Sequence, residues 1–322
     1  MLGFLLRRLL AALATLVGVL TLVFVLMSLA PGDPARLAAH GTGRSVAGPS
    51  TRALDAFRSA YGLDRPLAVR FGLWLVRAFT LDFGRSFQDG RAVRERIVET
   101  IPATLALNAG ALLLAILIAV PCGILSARRP RGAFDRISGF LFDVTFAAPS
   151  FVIGMLLLLI FAVRLGWVPL FADTDAGWKG DALPIATLAL ASVGYIARFA
   201  RSCLLDAFRS TAALAARARG EGSRAQITRA LRRSAVPFAA MGAALVPTAL
   251  SGSVLVERLF AIRGSGGLLA EAVFARDTPT ILGITLFVAV AVVLASVLSD
   301  VISALADPRT RDDRTDRVRS AS

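Results

Sequence analysis

Runs of about twenty apolar residues recur along this chain, and they restrict its possible folds more than any other feature. The chain has 322 residues, of which 56% are hydrophobic, and its mean hydropathy is +0.69, which is too apolar for a soluble globular protein. A helix of about twenty residues crosses a bilayer core that is roughly 30 Å thick. Because unpaired backbone groups are costly in lipid, helices are the expected spanning elements. The sequence therefore predicts an all-α polytopic membrane protein.

Six apolar runs are expected to cross the membrane. Pro102, Pro184 and Pro237 are expected to open the second, fourth and fifth of them, since proline is tolerated in the first turn of a helix. The predicted spans are residues 9–30, 102–125, 137–163, 184–203, 237–256 and 280–305.

The distribution of basic residues predicts the orientation of these spans. The net charge is +14, and Lys179 is the only lysine. The connections 126–136 and 198–236 are rich in arginine, whereas the connection 164–183 carries two tryptophans and few cations. Short basic loops stay on the cytoplasmic side. Both termini are therefore predicted to be cytoplasmic, and the basic residues indicate contact with membrane lipid and not with nucleic acid.

Four regions follow from this topology. Residues 1–30 are an N-terminal stretch and a first transmembrane helix, which we expect to be retained because its apolar run is too long for a signal-peptide core. Residues 31–100 are a largely helical extracytoplasmic region. Residues 101–305 are a five-helix membrane core that contains the cytoplasmic loop 198–236, and residues 306–322 are a cytoplasmic tail.

The sequence offers little material for catalysis. No lysine follows a glycine-rich loop as a phosphate-binding loop requires, since Lys179 lies in Trp178-Lys179-Gly180. His40 is the single histidine, and Cys122 and Cys203 lie in or beside apolar runs as small core residues do. We expect that the chain is not an enzyme and holds no cofactor and no metal.

The loop 198–236 contains the most distinctive polar segment. Ser210 or Thr211 is expected to cap a short helix over residues 212–219, and Gly220 is expected to end it. Ala215 and Ala216 would leave a thin face for a groove on a partner. The arginines that would pair with acids around that groove are Arg217, Arg219 and Arg224. Composition alone supports equally well an ordinary solvated helix.

Polar residues within the predicted spans have two possible roles. Asp143 is costly in lipid, so it either faces a cavity or lies near the inner interface beside Arg136, and the second interpretation is slightly favoured. Thr104, Asn108 and Ser150 either line a pathway or bond between helices.

A series of short motifs runs in order through nearly the whole chain. Each alone is weak, but the order across six spans is specific. They are Pro31-Gly32-Asp33-Pro34, Tyr61-Gly62-Leu63-Asp64-Arg65-Pro66-Leu67, Leu81-Asp82-Phe83-Gly84-Arg85-Ser86, Ile101-Pro102-Ala103-Thr104-Leu105-Ala106-Leu107, Pro149-Ser150-Phe151, Tyr195-Ile196-Ala197-Arg198-Phe199-Ala200-Arg201-Ser202, Ala216-Arg217-Ala218-Arg219-Gly220, Glu257-Arg258-Leu259-Phe260, Gly264-Ser265-Gly266, Arg276-Asp277 and Asp307-Pro308-Arg309.

With these motifs the chain resembles the first of the two permease subunits of the dipeptide, oligopeptide and nickel branch of ABC importers. The resemblance implies a type I ABC importer permease fold in a bacterial inner membrane. It also implies a second homologous permease, two cytoplasmic ATPases that use the ATP, and an extracytoplasmic solute-binding protein. The residues that would contact an ATPase are Ala215, Ala216, Arg217, Ala218, Arg219, Gly220 and Gly222.

The chain departs from the family pattern in three places, one of which is that the distance from Gly220 to Pro237 is about one residue shorter. Ala230 or a neighbour stands where the family usually has a histidine, and the last span keeps only Asp300 of an Asn-Leu-x-x-Asp motif. The alternative functions are a stand-alone secondary carrier or channel, and more weakly a membrane scaffold or sensor. Carriers often have inverted repeats, and no clear internal repeat is present here.

Overall fold

The computed structural model describes residues 2–29, 51–169 and 178–306. Among these residues the regular elements are helices, and one isolated bridge joins Arg85 and Ala92. The helices are α1 (Leu2–Leu29), α2 (Thr51–Ala60), α3 (Leu67–Ala78), α4 (Val93–Arg128), α5 (Ala133–Ala147), α6 (Ser150–Leu157, continued by a π-helical segment Leu158–Arg164), α7 (Trp178–Arg209), α8 (Thr211–Ala218), α9 (Ser223–Leu259), α10 (Ser265–Ala275) and α11 (Thr278–Ala306).

Four of the described helices are long and apolar enough to cross a membrane. They coincide with the first, second, fourth and sixth predicted runs, which confirms, for the described residues, an all-helical protein with several helices able to cross a membrane. Their apolar segments are Leu10–Leu29, Val93–Arg128, Lys179–Arg209 and Thr278–Leu298.

The third predicted span is not one continuous helix. Helices α5 and α6 meet at an angle of 104°, and together they can form one further span. The break lies at Ala148, whose ψ of 132° is extended, and Pro149 follows it. A residue before proline is disfavoured in the helical region, because the proline ring crowds its backbone. The prediction of an unbroken helix over residues 137–163 is therefore wrong.

The helix starts that the prolines predicted are also wrong. Pro102 lies inside α4, which begins at Val93, and Pro184 lies inside α7. Pro237 lies inside α9, which carries the fifth predicted span but is not among the four helices named above. Packing overrides the local preference at the start of α4, since Val93 and Ile97 are fully or almost fully buried there.

The chain divides into two compact units, Met1–Leu105 with Arg263–Val293, and Ala106–Ile262 with Leu294–Ser322. In the first unit, Phe83, Val93 and Ile97 form one buried cluster with residues of α10 and α11. A second cluster joins α1 to α11 through Leu20, Phe24 and Leu282.

The core of the second unit depends on small residues that allow helices to approach closely. Ala111, Ala115 and Ala119 of α4 are spaced four residues apart and are buried against side chains of α7 and α9. A Cβ atom added to Gly123 would lie 2.7 Å from the Cβ of Ala200, and one added to Gly194 would lie 2.4 Å from the carbonyl oxygen of Phe142. Close backbone approach at small residues is the usual packing of membrane helices.

Several sequence predictions fall outside the described residues. They concern the Pro31–Pro34 motif, His40, the ending Asp307–Arg309 and most of the tail 306–322.

Candidate functional site

The short helix α8 lies in the arginine-rich loop, and its two ends are closed by local hydrogen bonds. The Ser210 hydroxyl accepts a bond of 3.3 Å from the Ala213 amide, so of the two predicted candidates, Ser210 and Thr211, Ser210 is the cap. At the other end Gly220 has a φ of +79°, and the Glu221 amide donates to the Ala216 carbonyl over 3.1 Å. This left-handed ending is one that glycine adopts without strain, so the predicted helix end is confirmed.

The exposed face of α8 differs from the one expected. Ala216 is 1% exposed and packs inside its own chain. The expectation that Ala215 and Ala216 together offer a face to a partner is therefore wrong for Ala216. The outward face carries Leu214, whose exposed fraction is 54%, with Ala215, Ala218 and Arg219. An exposed leucine flanked by alanines on a polar loop is a small apolar surface that a groove can accept.

A set of polar contacts holds the turn that follows α8. The carboxylate of Glu221 accepts from Arg229 over 2.6 Å, and the side-chain amide of Gln226 donates to the Glu221 carbonyl over 2.7 Å. Arg217 donates to Gln226 over 3.2 Å, so Arg217 is engaged within the chain. Gly222 then begins α9, as its N-cap.

The arginines of this loop divide into engaged and available ones. Arg217 and Arg229 make the contacts just described, and Arg128 donates to the hydroxyl of Ser223. Arg219 and Arg224 are exposed, and within the described ranges neither has a carboxylate partner. The sequence predicts that Arg217, Arg219 and Arg224 pair with an acidic partner. Of the three, Arg219 and Arg224 are available for that role.

A cavity of about 420 Å³ lies beside α8. One carboxylate oxygen of Glu221 is buried without a hydrogen-bond partner among the described residues, and Glu221 is among the lining residues. The other charged groups that line the cavity are Arg217, Arg229, Arg232 and Arg233. The loop therefore presents an apolar strip on one side of α8 and a basic cavity beside it.

Two ion pairs connect α5 to α7. Asp135 accepts two bonds from Arg201, of 2.6 and 2.8 Å, and a third of 2.8 Å from the Arg131 amide. Its side chain is 8% exposed, so this pair is largely enclosed. Sequence reasoning missed it, although a single aspartate among four arginines in the loop 126–136 was a usable signal.

The second ion pair corrects the expected surroundings of Asp143. Arg198 donates to Asp143 over 2.7 Å, and the guanidinium of Arg198 also lies 4.5 Å from the centre of the Phe146 ring. The neighbour of Asp143 is thus Arg198, not Arg136. The exposed fractions are 61% for Asp143 and 44% for Arg198, so the pair is open at the surface of the chain.

The other predicted pathway residues differ in their exposure. Thr104 is 2% exposed, and its hydroxyl accepts a bond of 2.8 Å from the Ser265 amide at the start of α10. Asn108 and Ser150 are half-buried. A pathway role for these residues and for Asp143 stays a prediction, and for Thr104 the hydroxyl is already engaged inside the first unit.

A buried polar network in the first unit is the feature that sequence reasoning missed most completely. Asp277 is fully buried and accepts from the Ser86 hydroxyl over 2.5 Å, from the Phe87 amide over 3.0 Å and from the Thr280 hydroxyl over 2.7 Å. Arg96 donates to Ser86 over 2.8 Å and lies 3.4 Å from Asp277. We call Ser86, Arg96, Asp277 and Thr280 the Asp277 network.

The aromatic ring of Tyr61 packs beside this network. Its centre lies 4.9 Å from that of Phe87, and its hydroxyl donates to the Ser86 carbonyl over 3.4 Å. Burial, followed by the nearby charge of Asp277, raises the pKa of the Tyr61 phenol. Two of the sequence motifs, 61–67 and 81–86, therefore meet a third, 276–277, in one place.

Known proteins match this sequence over nearly its whole length. A family model described as "Binding-protein-dependent transport system inner membrane component" matches residues 119–312, and the corresponding N-terminal model matches residues 1–108. A Brucella abortus (strain 2308) protein, whose name assigns it provisionally to a peptide transport system as its permease, is 35% identical over 320 residues. That alignment covers 97% of this chain and 100% of the relative.

Relatives with more specific names show similar coverage. The oligopeptide transport system permease protein AppB of Bacillus subtilis (strain 168) is 32% identical, over 96% of this chain and 99% of its own length. The glutathione transport system permease protein GsiC of Salmonella choleraesuis (strain SC-B67) is 34% identical, over 97% and 99%.

The long apolar helices and these matches define a multi-pass inner membrane permease. The chain belongs to the family of binding-protein-dependent transport system inner membrane components, the permeases of ABC importers.

Proposed function

We propose that this chain forms half of the translocation pathway of an ABC importer for peptides or a related small solute. A second homologous permease supplies the other half, and an extracytoplasmic binding protein delivers the solute. Two separate ATPase subunits use the ATP, so the chain itself needs no cofactor. The names of the relatives support this substrate class, since they refer to peptide, oligopeptide and glutathione transport.

One observation carries the proposal. Helix α8 is fixed at both ends by its own chain but leaves Leu214, Ala215, Ala218 and Arg219 exposed. A helix of eight residues is too short to be stable alone, so its stability comes from these end contacts and from burial of Ala216. An apolar strip on such a fixed helix favours docking on a partner over simple solvation.

The proposal includes a membrane topology with six spans and both termini in the cytoplasm. Four apolar helices and the bent pair α5–α6 supply five spans, and α9 supplies the sixth around residues 237–256. In this topology the loop with α8 is cytoplasmic, and residues 31–92 face outward. The arginine-rich connections 126–136 and 198–236 then lie on the same side as the ATPases.

The proposed mechanism is linkage between ATPase closure and the orientation of the helices. An ATPase pair that binds α8 displaces it when the pair closes. Because short turns connect α8 directly to α7 and α9, the displacement reaches these two helices. The spans of the permease are in equilibrium between two orientations. The ATPase pair shifts this equilibrium only if it binds the permease with different affinity in the two orientations. The Glu221–Arg229 pair and the Gly220 ending transmit this movement by keeping α8 in a fixed position relative to the start of α9.

Charge substitutions on the exposed face of α8 test the proposal. In the full complex, Leu214→Glu and Ala215→Glu place a carboxylate in the contact without disturbing the core of this chain. We expect about a tenfold or greater loss of ATP-driven uptake in proteoliposomes, since changing a residue at the centre of an interface costs about 2 kcal/mol or more and about 1.4 kcal/mol corresponds to a factor of ten. Co-purification of the ATPase should fall in parallel.

Ala133→Glu is the matched control. It makes the same change at an exposed position in the first turn of α5, on the side that the topology assigns to the cytoplasm. It should leave uptake and ATPase retention unchanged. Normal uptake by the Leu214 variant, or uptake that needs no ATPase, would contradict the proposal and favour a stand-alone carrier.

A further inference from the structure

A second, larger cavity lies in the first unit, on residues that the transport proposal does not use. Its volume is about 560 Å³. The wall is formed by the turn that follows α2, by one face of α3 and by residues around Asp82–Phe87, together with Phe24 of α1 and Leu282 of α11. We call it the Arg70 cavity.

The charges that line the Arg70 cavity are strongly unbalanced. Arg70, Trp74 and Arg77 line it from one face of α3, because residues four and three apart lie above one another on a helix. Arg65 and Arg85 add two further guanidinium groups. Among the described lining residues the one carboxylate belongs to Asp82, which is exposed and accepts from the Gly84 amide.

No carboxylate among the described residues neutralises these guanidinium groups. Within residues 51–169 and 178–306, Arg65, Arg70 and Arg77 have no carboxylate partner, and Arg85 donates to the Gly90 carbonyl. Of the neighbouring carboxylates, Asp55 is bound by Arg58 and Asp89 by Arg96. The cavity therefore attracts anions.

Two groups in the wall lack the polar partners that burial usually requires. Arg70 is half-buried with its guanidinium 5.8 Å from the Phe24 ring centre, and burial lowers its pKa. The indole N–H of Trp74 is buried and has no acceptor among the described residues. A buried donor without an acceptor is unfavourable, and an oxygen-rich anion in the cavity would give Arg70 a counter-charge and, after a small rotation of the indole, would give the Trp74 N–H an acceptor.

The remainder of α3 indicates where such an anion comes from. The helix exposes large apolar side chains together with its arginines, and the exposed fractions reach 68% for Val76 and 77% for Phe79 just beyond its end. A basic helix with a tryptophan and an exposed apolar face is typical of a segment that lies in the membrane interface. The cavity is also bordered by Phe24 and Leu282, which belong to two helices apolar enough to cross the membrane.

We propose that the Arg70 cavity binds the phosphate of an anionic phospholipid headgroup. Arg65, Arg70 and Arg77 contact the phosphate, the Trp74 N–H donates to one of its oxygens, and the acyl chains lie along the exposed apolar side chains of α3. This assignment rests on the topology proposed above, which places α3 at the outer membrane surface. A soluble carboxylate or phosphate would account for the arginines but not for the adjoining apolar surface.

Native mass spectrometry of the purified transporter complex tests the site. The complex is equilibrated with phosphatidylglycerol or with phosphatidylcholine, and the retained lipid is counted for each variant. Arg70→Gln and Arg77→Gln should each weaken phosphatidylglycerol binding about fivefold, the factor that corresponds to about 1 kcal/mol per basic residue at an anionic surface. Trp74→Phe, which keeps a ring but removes the donor, should weaken it about threefold.

Arg52→Gln is the matched control, since Arg52 is an exposed arginine of α2 that does not line the cavity. Equal loss of lipid in this variant, or unchanged binding in the Arg70 and Arg77 variants, would overturn the site. Displacement of phosphatidylglycerol by inorganic phosphate would show that the ligand is a free anion and would overturn the lipid source. If phosphatidylcholine is retained as well as phosphatidylglycerol, the proposed selectivity for an anionic headgroup is overturned.

A labelling experiment separates failure of this site from failure of the proposed topology. An Arg52→Cys variant, with Cys122 and Cys203 replaced by alanine, is treated in intact cells with a membrane-impermeant maleimide; Arg52 is exposed on α2, in the same outward region as α3, and does not line the cavity. Labelling from outside supports the outward location of α3. Lack of labelling would reject the topology, and the lipid count of the purified complex would still report on the cavity itself.

Discussion

The Asp277 network and helix α8 use similar polar residues in opposite ways. In the network, every contact of the carboxylate is made inside the chain, and Asp277, Ser86 and Thr280 have no exposed surface. In α8, hydrogen bonds close only the two ends, and the face with Leu214 and Ala215 stays exposed. The Asp277 network makes all its contacts within the isolated chain. Helix α8 makes such contacts at its two ends and leaves one face without a partner among the described residues.

The two ion pairs between α5 and α7 show the same contrast on a smaller scale. Asp135 is enclosed and bound by three donors, whereas Asp143 is exposed and bound by one. Residues whose hydrogen-bonding and charged groups already have partners within the chain maintain its structure. Polar or apolar groups that the chain leaves open are the places where a partner, a lipid or a solute adds the missing contacts.

The largest expected effect is at the centre of the closed network. Asp277→Asn keeps the size of the side chain but removes the charge that Ser86, Thr280 and Arg96 share. Breaking a buried network of this kind costs about 3 kcal/mol or more, because the asparagine amide puts a donor among buried donors and Arg96 keeps only its partly exposed pair with Asp89. We expect a clear loss of thermal stability of the purified transporter, measured by the midpoint of heat-induced aggregation.

Asp64→Asn is the control for this prediction, since Asp64 is exposed and belongs to the same unit. It should change stability by no more than about 0.5 kcal/mol. If both variants aggregate at the temperature of the wild type, the Asp277 network does not stabilise the first unit and the contrast with α8 disappears.

The next effect compares two glycines that differ only in their surroundings. Gly194→Ala brings a methyl group to within 2.4 Å of the Phe142 carbonyl, so α5 and α7 must move apart. Such overpacking costs about 1 to 3 kcal/mol. Gly139 lies on α5, as Phe142 does, but an added Cβ there meets nothing within 4 Å.

Gly139→Ala should therefore be neutral or stabilise the protein by about 0.5 to 1 kcal/mol, because alanine favours a helix more than glycine does. The same thermal assay compares the two variants. If Gly139→Ala destabilises the protein and Gly194→Ala does not, the close packing lies at Gly139 and not between α5 and α7 at Gly194, which would contradict this prediction.

Local features of the fold were predictable from the sequence, and long-range pairings were not. The apolar runs, the cap at Ser210 and the glycine ending at Gly220 depend on residues within a few positions of one another, so the pattern contains them. The partner of Asp143 is 55 residues away, and that of Ser86 is 191 residues away. Nothing in the spacing of single residues indicates such contacts.

Two errors of the sequence reasoning have the same physical origin. The prolines at 102 and 184 suggested helix starts, but packing of the preceding residues extends both helices across them. Alanines 215 and 216 looked equivalent in a short helix, but only the tertiary structure decides which of them is buried. Local preference was correct at Pro149, where α5 ends at Ala147, the extended Ala148 follows and the helix does break.

The smallest effect on stability is expected at the open pair Asp143–Arg198. Both side chains are well exposed, so the pair contributes no more than about 1 kcal/mol, and a double-mutant cycle with Asp143→Asn and Arg198→Gln should give a coupling energy of about 0.5 kcal/mol. Asp135→Asn should cost more, because its carboxylate is enclosed and accepts three bonds.

Transport then decides what the open pair does. If Asp143 and Arg198 only hold α5 against α7, exchanging the two charges by Asp143→Arg with Arg198→Asp should restore both stability and uptake. If they contact the solute, the exchange should restore stability but not uptake, because a charged group of the solute then meets the wrong sign. Restored uptake would show that the Asp143–Arg198 pair, like the Asp135–Arg201 pair, only holds α5 against α7. Asn108 and Ser150 would then be the remaining half-buried candidates for lining the pathway.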